Sequence, residues 1–93
     1  MTREEKIQDL KSLGPKSAEM LAHAGINTPA DLRALGSVAA YVRVRRANRG
    51  VSLNLLWALE SALTGVPWQQ VAREHRTSLL LAVEDYEKSL RGR

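Results

Sequence analysis

Cysteine and phenylalanine are both absent from this 93-residue chain, which has only two tryptophans and two tyrosines. Without cysteine, the protein can form no disulfide, thiolate zinc site or cysteine nucleophile. Uninterrupted apolar runs such as residues 79–83 are far too short to span a bilayer. The charged start, MTREEKIQDL, lacks the apolar region of a secretory signal. We therefore expect a cytoplasmic protein, with no membrane partner, whose core consists mostly of leucine, valine and alanine.

The charge balance is basic. Fourteen Lys and Arg residues face ten Asp and Glu residues, which gives a net charge of +4 and a pI near 10.0. This balance is compatible with nucleic acid or another acidic partner, and the positions of the charges matter more than their sum. A chain of this length is expected to form a single domain, residues 1–93, with one core and no deep substrate cavity.

Helical periodicity, interrupted by glycine and proline, runs through the whole chain. Thr2 and Glu5 form a capping box, and Pro15, Pro29 and Pro67 suit the starts of helices. No alternating strand pattern occurs, so we predict an all-α fold, a single small bundle of five to six helices. The predicted helices cover residues 3–11, 15–24, 29–35, 38–48, 53–64 and 67 to about 90.

The stretch SLNLLWALESALTG, residues 52–65, is the most apolar segment. A helix that is apolar nearly all round is buried, so it is either the central helix or packs one side against a second chain. In the last segment, Leu80 and Leu81 do not fit the apolar stripe, which favours a break near residues 73–77 over burial of a second face. The predicted core contains Leu13, Leu21, Ile26, Leu32, Leu35, Tyr41, Leu56, Trp57, Leu59, Leu63, Trp68, Leu79 and Val83.

Three stretches carry a family resemblance: LGPKSAEMLAHAGINTPADLRALG, VSLNLLWALESALTG and WQQVAREHRTSLLLAV. Over about residues 10–83 they resemble the C-terminal domain of the TfoX/Sxy family of bacterial DNA-transformation (competence) regulators, and the middle stretch makes the resemblance specific. The resemblance implies a helical domain related to helix-hairpin-helix and SAM-like folds, and a link to competence gene regulation. Members usually carry a second, N-terminal domain, whereas this sequence resembles only the C-terminal one, so we do not expect functions that need both.

The first candidate site is the turn Ser12-Leu13-Gly14. A nucleic-acid-binding helix-hairpin-helix uses glycine–apolar–glycine, which lets backbone N–H groups approach a phosphate. Here serine replaces the first glycine, while Lys11 and Lys16 add positive charge. Lys11, Gly14 and Lys16 are therefore candidate contacts to nucleic acid or an acidic partner. The alternative, which the missing glycine favours, is a structural turn that buries Leu13.

The second candidate site is RVRRANRG, residues 43–50, which contains four arginines: Arg43, Arg45, Arg46 and Arg49. Arg45 and Arg49 continue the apolar face of the helix predicted over residues 38–48. We therefore expect the C-terminal end of that helix to project past the core. One interpretation is a patch that binds phosphate or an acidic partner. The other is that the arginine stems cover apolar surface while their guanidinium groups stay in water.

Catalytic and metal-binding patterns are weak. His23 and His75 lie on different predicted helices without metal-ligand spacing, and His75 is expected to be a core residue of the apolar stripe. We expect no metal, no cofactor and no enzymatic activity.

Three hypotheses on the function remain. The first is an interaction module that binds a protein or nucleic-acid partner in gene regulation, and the second is a non-specific DNA-binding helix-hairpin-helix protein. The third is a homodimer formed through the helix over residues 53–64 or the last helix.

Overall fold

The computed structural model describes residues 6–91, which form a 3-10 turn at Ile7–Asp9 followed by α-helices. This part of the chain contains no β-strand, so the predicted all-α class is confirmed. Helix α3 packs against α2 and α4, α5 packs against α2, and α1 packs against α2. None of the helices described is both long and apolar enough to cross a membrane. The helices are α1 (Pro15–His23), α2 (Pro29–Ala47), α3 (Leu53–Thr64), α4 (Trp68–Glu74) and α5 (Arg76–Arg91).

The capping residues define helix α3 at both ends, where the sequence predicts them. The hydroxyl of Ser52 accepts a hydrogen bond from the N–H of Asn54 at 3.2 Å. At the other end, Gly65 adopts a left-handed conformation with φ +80° and donates its N–H to the carbonyl of Ser61 at 2.8 Å. Such a conformation ends a helix and is favourable for glycine. The predicted helix over residues 53–64 is therefore confirmed.

Helix α2 contains both helices that the sequence predicts over residues 29–35 and 38–48. The two halves meet at Gly36, whose φ of +83° and ψ of +165° are not helical. Thr28 caps the first half by accepting a hydrogen bond from the N–H of Asp31 at 3.1 Å. The interruption at Gly36 is thus correctly predicted, and it lets the two halves follow each other without a loop.

The helix predicted over residues 3–11 is wrong within the described part of the chain. Only Ile7–Asp9 forms a 3-10 turn, and Leu10 then returns to an extended conformation. Asp9 accepts a hydrogen bond from the N–H of Lys6 at 3.3 Å, which closes a single turn, and Ser12, with φ +69°, leaves the right-handed helical region shortly after it. Ile7, Leu10 and Leu13 are nevertheless all buried. The predicted capping box of Thr2 and Glu5 lies outside the described residues.

The last segment breaks at His75, between α4 and α5, which confirms the predicted break. As a result Leu80 is half-buried, whereas Leu81 remains 56% exposed. His75 itself is exposed, so its expected place in the core is wrong. The reason is its position after α4: its N–H still donates to Val71 at 2.9 Å, while its side chain lies at the turn.

The core is centred on α3, where Leu56 and Leu59 are fully buried and Trp57 is 3% exposed. This burial is provided within one chain, which favours the central-helix interpretation of α3.

Leu35 and Leu63 are half-buried and pack against the core. Trp68 is 42% exposed, so its predicted core position is wrong. It is the first residue of α4, and the buried face of that helix begins only at Val71. The other predicted core residues are all buried: Leu13, Leu21, Ile26, Leu32, Tyr41, Leu79 and Val83.

Candidate partner-binding surfaces

The turn before α1 keeps a glycine-like backbone although serine occupies its first position. Ser12 has φ +69°, a left-handed value that residues other than glycine rarely adopt. Its hydroxyl lies 2.8 Å from the hydroxyl of Ser61, which is fully buried in α3. This hydrogen bond holds the turn against α3 and helps to maintain the unusual backbone of Ser12.

The candidate residues of this turn have different environments. Leu13 is 7% exposed, as the structural interpretation of the turn expects. Lys11 and Lys16 are exposed, and Gly14 is half-buried. No side chain caps the start of α1 at Gly14. The turn therefore packs onto the core through Leu13 and still presents two lysines to solvent beside a helix N-terminus.

A groove with a volume of about 490 Å³ lies beside this turn, and we call it the hairpin groove. It lies between α1, the segment that follows α2, and α3, with the start of α4 at its edge. Lys16 and Met20 line it from α1, Asn48 and Gly50 from the segment after α2, and Trp68 from α4. Of the candidate residues, only Lys16 lines this groove.

Trp68 is the most distinctive residue of the hairpin groove. Trp68 and Leu81 are the two large hydrophobic side chains exposed within residues 6–91. Trp68 lines the groove and Leu81 does not, because Leu81 lies on α5. A partly exposed tryptophan in a groove is the kind of residue that contributes most to protein–protein binding. The apolar pattern of the last segment did not indicate this exposure, because it placed Trp68 in the predicted core.

Arg45 differs from the other three arginines of the second candidate site. It forms an ion pair with Glu87 of α5. Its guanidinium carbon also lies 5.3 Å from the centre of the Tyr41 ring, within the range of a cation–π contact. Its side chain is 33% exposed. The structure thus uses the guanidinium group of Arg45 to connect α2 to α5, a structural role that neither interpretation of the basic run predicted.

Arg43, Arg46 and Arg49 are exposed, and we call them the basic surface. Within residues 6–91 none of the three forms an ion pair. Arg46 and Arg49 line a depression of about 370 Å³ together with the Arg45–Glu87 pair. The segment that contains Asn48 and Gly50 lines the hairpin groove, so the basic surface and the groove adjoin along the chain.

A match to a family model decides the family of this chain. The family model of the TfoX C-terminal domain matches residues 3–83. This range includes the turn before α1, helices α1 to α4 and the first half of α5. The chain belongs to this family. The predicted resemblance to the TfoX C-terminal domain is confirmed.

Two solved structures share the fold of this TfoX C-terminal domain. An uncharacterized protein from Listeria monocytogenes in a triclinic crystal form has a TM-score of 0.74 and 28% identity, over 95% of this chain and 96% of that chain. A protein of unknown function from the same bacterium in a tetragonal form has a TM-score of 0.71 and 29% identity, over 89% and 98%. No curated protein matches the chain.

A part-buried polar contact of the TfoX C-terminal domain connects two of its helices. The hydroxyl of Ser37 donates to the carboxylate of Glu60 at 2.7 Å, which connects α2 to α3. Within the described residues, each buried side-chain nitrogen or oxygen has a hydrogen-bond partner. The same residues contain no group of three His, Cys, Asp or Glu that could hold a metal ion. His23 is exposed at the end of α1 and His75 lies beyond α4.

Proposed function

We propose that this TfoX C-terminal domain is a non-enzymatic module that binds a protein partner in bacterial gene regulation. The observation that carries this proposal is the 42% exposed Trp68 in the hairpin groove. Burial of apolar surface contributes about 25 cal/mol per Å², so covering the exposed part of an indole ring favours association. The resemblance to competence regulators supports the regulatory setting.

The lining of the hairpin groove suits a protein surface. Met20 and Trp68 offer apolar contact, and Met adapts its shape to different partners. Lys16 and Asn54 supply polar groups at the same groove. An apolar centre with polar groups around it is the usual composition of a protein–protein interface.

We expect Trp68→Ala to weaken partner binding by about thirtyfold, which corresponds to a loss of about 2 kcal/mol for a large aromatic contact at an interface. The matched control is Leu81→Ala, which removes the other large exposed hydrophobic side chain. The measurement is quantitative capture from a nuclease-treated lysate of the source bacterium, followed by titration of the captured protein. Equal binding by the Trp68→Ala and unmodified domains would show that the groove is not the binding site.

Direct binding of duplex DNA is the second candidate function. Two observations favour it: the glycine-like backbone of Ser12 beside Lys11 and Lys16, and the unpaired arginines of the basic surface. Contacts to phosphates come mainly from such cationic side chains and from helix N-termini. Loss of the captured partner after nuclease treatment would favour this candidate over the protein partner.

The charge-reversed variant Arg46→Glu/Arg49→Glu tests DNA binding. The unmodified domain should bind duplex DNA with a Kd of ~10⁻⁴–10⁻⁶ M, and the variant should lower the salt slope by about 1.8, since each lost phosphate contact removes about 0.9. The fold should survive, because both side chains are exposed and the Arg45–Glu87 pair is untouched. Fluorescence anisotropy against salt concentration provides the measurement.

The control for charge alone is Arg73→Glu/Lys88→Glu, which has the same net charge and changes exposed residues of α4 and α5. It should keep the salt slope of the unmodified domain. Absence of binding by the unmodified domain at about 50 mM salt would exclude this candidate, since non-specific binding strengthens as salt falls.

The homodimer hypothesis remains a prediction, which sedimentation of the unmodified domain and of Leu81→Ala tests.

A further inference from the structure

A third, smaller cavity of about 150 Å³ lies between the C-terminal halves of α2 and α5. Its floor is apolar, because Val42 is buried and Ala39, Tyr86 and Leu90 are half-buried. Part of the Tyr86 and Leu90 side chains therefore faces solvent. This cavity shares no lining residue with the hairpin groove.

The rim of this cavity is cationic. Arg43 and Arg46 line it, and Arg46 also lines the neighbouring depression together with Arg49. Within the described part of the chain these three arginines form no ion pair, whereas Arg45 is already paired with Glu87. Arg43 and Arg46 are three residues apart, about 4.5 Å along the axis of α2, so both charges lie on one side of that helix. Arg49 lies just beyond the end of α2 at Ala47.

This combination favours an acidic peptide over DNA. A phosphate backbone needs cationic contacts but no apolar floor. The carboxylate of Glu87 in the neighbouring depression is paired with Arg45, so it leaves the guanidinium groups of Arg43 and Arg46 available to carboxylates of a ligand. An amphipathic helix carries an apolar stripe with polar side chains on either side of it. It can therefore place an apolar residue on Tyr86 and Leu90 while carboxylates reach Arg43 and Arg46.

We propose that the cavity between α2 and α5 binds an acidic, amphipathic helical segment of a protein partner. Carboxylates of that segment pair with Arg43 and Arg46, and an apolar side chain packs against Tyr86 and Leu90. The occupant follows from charge complementarity, because the rim offers unpaired guanidinium groups around an apolar floor. This surface goes beyond the proposed function, which uses the hairpin groove.

The test uses a synthetic amphipathic helical peptide in which a stripe of leucines is flanked by glutamates. Nuclear magnetic resonance of the full, isotope-labelled chain follows the backbone amides during titration. We expect the largest shifts at Ala39, Val42, Arg43, Tyr86 and Leu90. Arg43→Gln/Arg46→Gln should weaken binding by about tenfold, since it removes two ion pairs.

Four controls make the outcome specific. A peptide with glutamine in place of glutamate and a scrambled peptide of the same composition should each bind at least about tenfold more weakly. The variants Arg73→Gln/Lys88→Gln and Trp68→Ala should bind the acidic peptide as the unmodified domain does. Since Trp68→Ala tests the proposed function separately, the two surfaces can fail independently.

The proposal is overturned if the cavity amides do not shift at ~1 mM peptide, where an interaction of only −4.1 kcal/mol would half-occupy the site. It is equally overturned if the scrambled peptide binds as well as the amphipathic one, because the apolar floor then contributes nothing. If duplex DNA shifts the same amides at lower concentration than the peptide, the basic surface is a DNA-binding surface instead.

Discussion

Replacing Trp57 with alanine should lower the free energy of unfolding by about 3–5 kcal/mol, the usual range for a buried aromatic residue. Trp57 is 3% exposed in the central helix α3, and the guanidinium carbon of Arg76 lies 5.9 Å from its ring centre. A domain of this size has only about 5–15 kcal/mol of total stability. Urea denaturation followed by circular dichroism measures the change.

Trp68→Ala is the matched control, because it makes the same chemical change at a residue that is 42% exposed. Its loss should be about 1 kcal/mol or less, as for most surface substitutions. If Trp57→Ala does not fold, Trp57→Phe keeps most of the buried aromatic area and should show an intermediate loss. Equal losses for Trp57→Ala and Trp68→Ala would contradict the assignment of α3 as the central helix.

Replacing Gly36 with alanine should destabilise the domain by about 1–3 kcal/mol, because its backbone lies in a region that is essentially restricted to glycine. Gly36 has φ +83° and ψ +165° in the middle of α2. No atom lies within 4 Å of the Cβ that alanine would add, so the loss is backbone strain and not a steric clash. Thermal and urea denaturation of the variant provide the measurement.

D-Alanine at position 36 separates strain from any other effect of the methyl group. A D-residue has the mirror-image backbone preference and accepts a positive φ. A chain of 93 residues is accessible to chemical synthesis, so this variant can be made. It should be as stable as the unmodified domain or more so, whereas Gly50→Ala, at a residue without positive φ, should change stability by no more than about 0.5 kcal/mol. Equal destabilisation by L- and D-alanine would contradict the strain argument.

The helices of this domain could be predicted from the sequence because local signals define most of their ends. Pro15, Thr28, Ser52 and Gly65 begin or end helices in the structure where their chemistry predicts. The break near residue 75 also followed from a local conflict, since a continuous helix would have placed two leucines among charged residues. The family resemblance depended on the same local stretches, and the family model matches residues 3–83.

The candidate surfaces were predicted less well, because their residues depend on partners far along the chain. Nothing near Arg45 indicates that Glu87 pairs with it, so the sequence grouped Arg45 with Arg49 as the continuation of an apolar helix face. The missing glycine at Ser12 suggested an altered turn, but the hydrogen bond to Ser61 of α3 holds the glycine-like backbone. The hairpin groove was missed altogether, because its lining comes from four separate segments.

The sequence by itself determined the helical class, the helix ends after residue 12 and the identity of most core residues. These features depend on periodicity and capping, which act over a few residues and require no knowledge of the fold. Only the tertiary structure decided which apolar and charged residues remain available to a partner. Trp68 lies on an apolar stripe yet is exposed, and Arg45 lies in a basic run yet is paired, because exposure depends on which helices pack against each side chain.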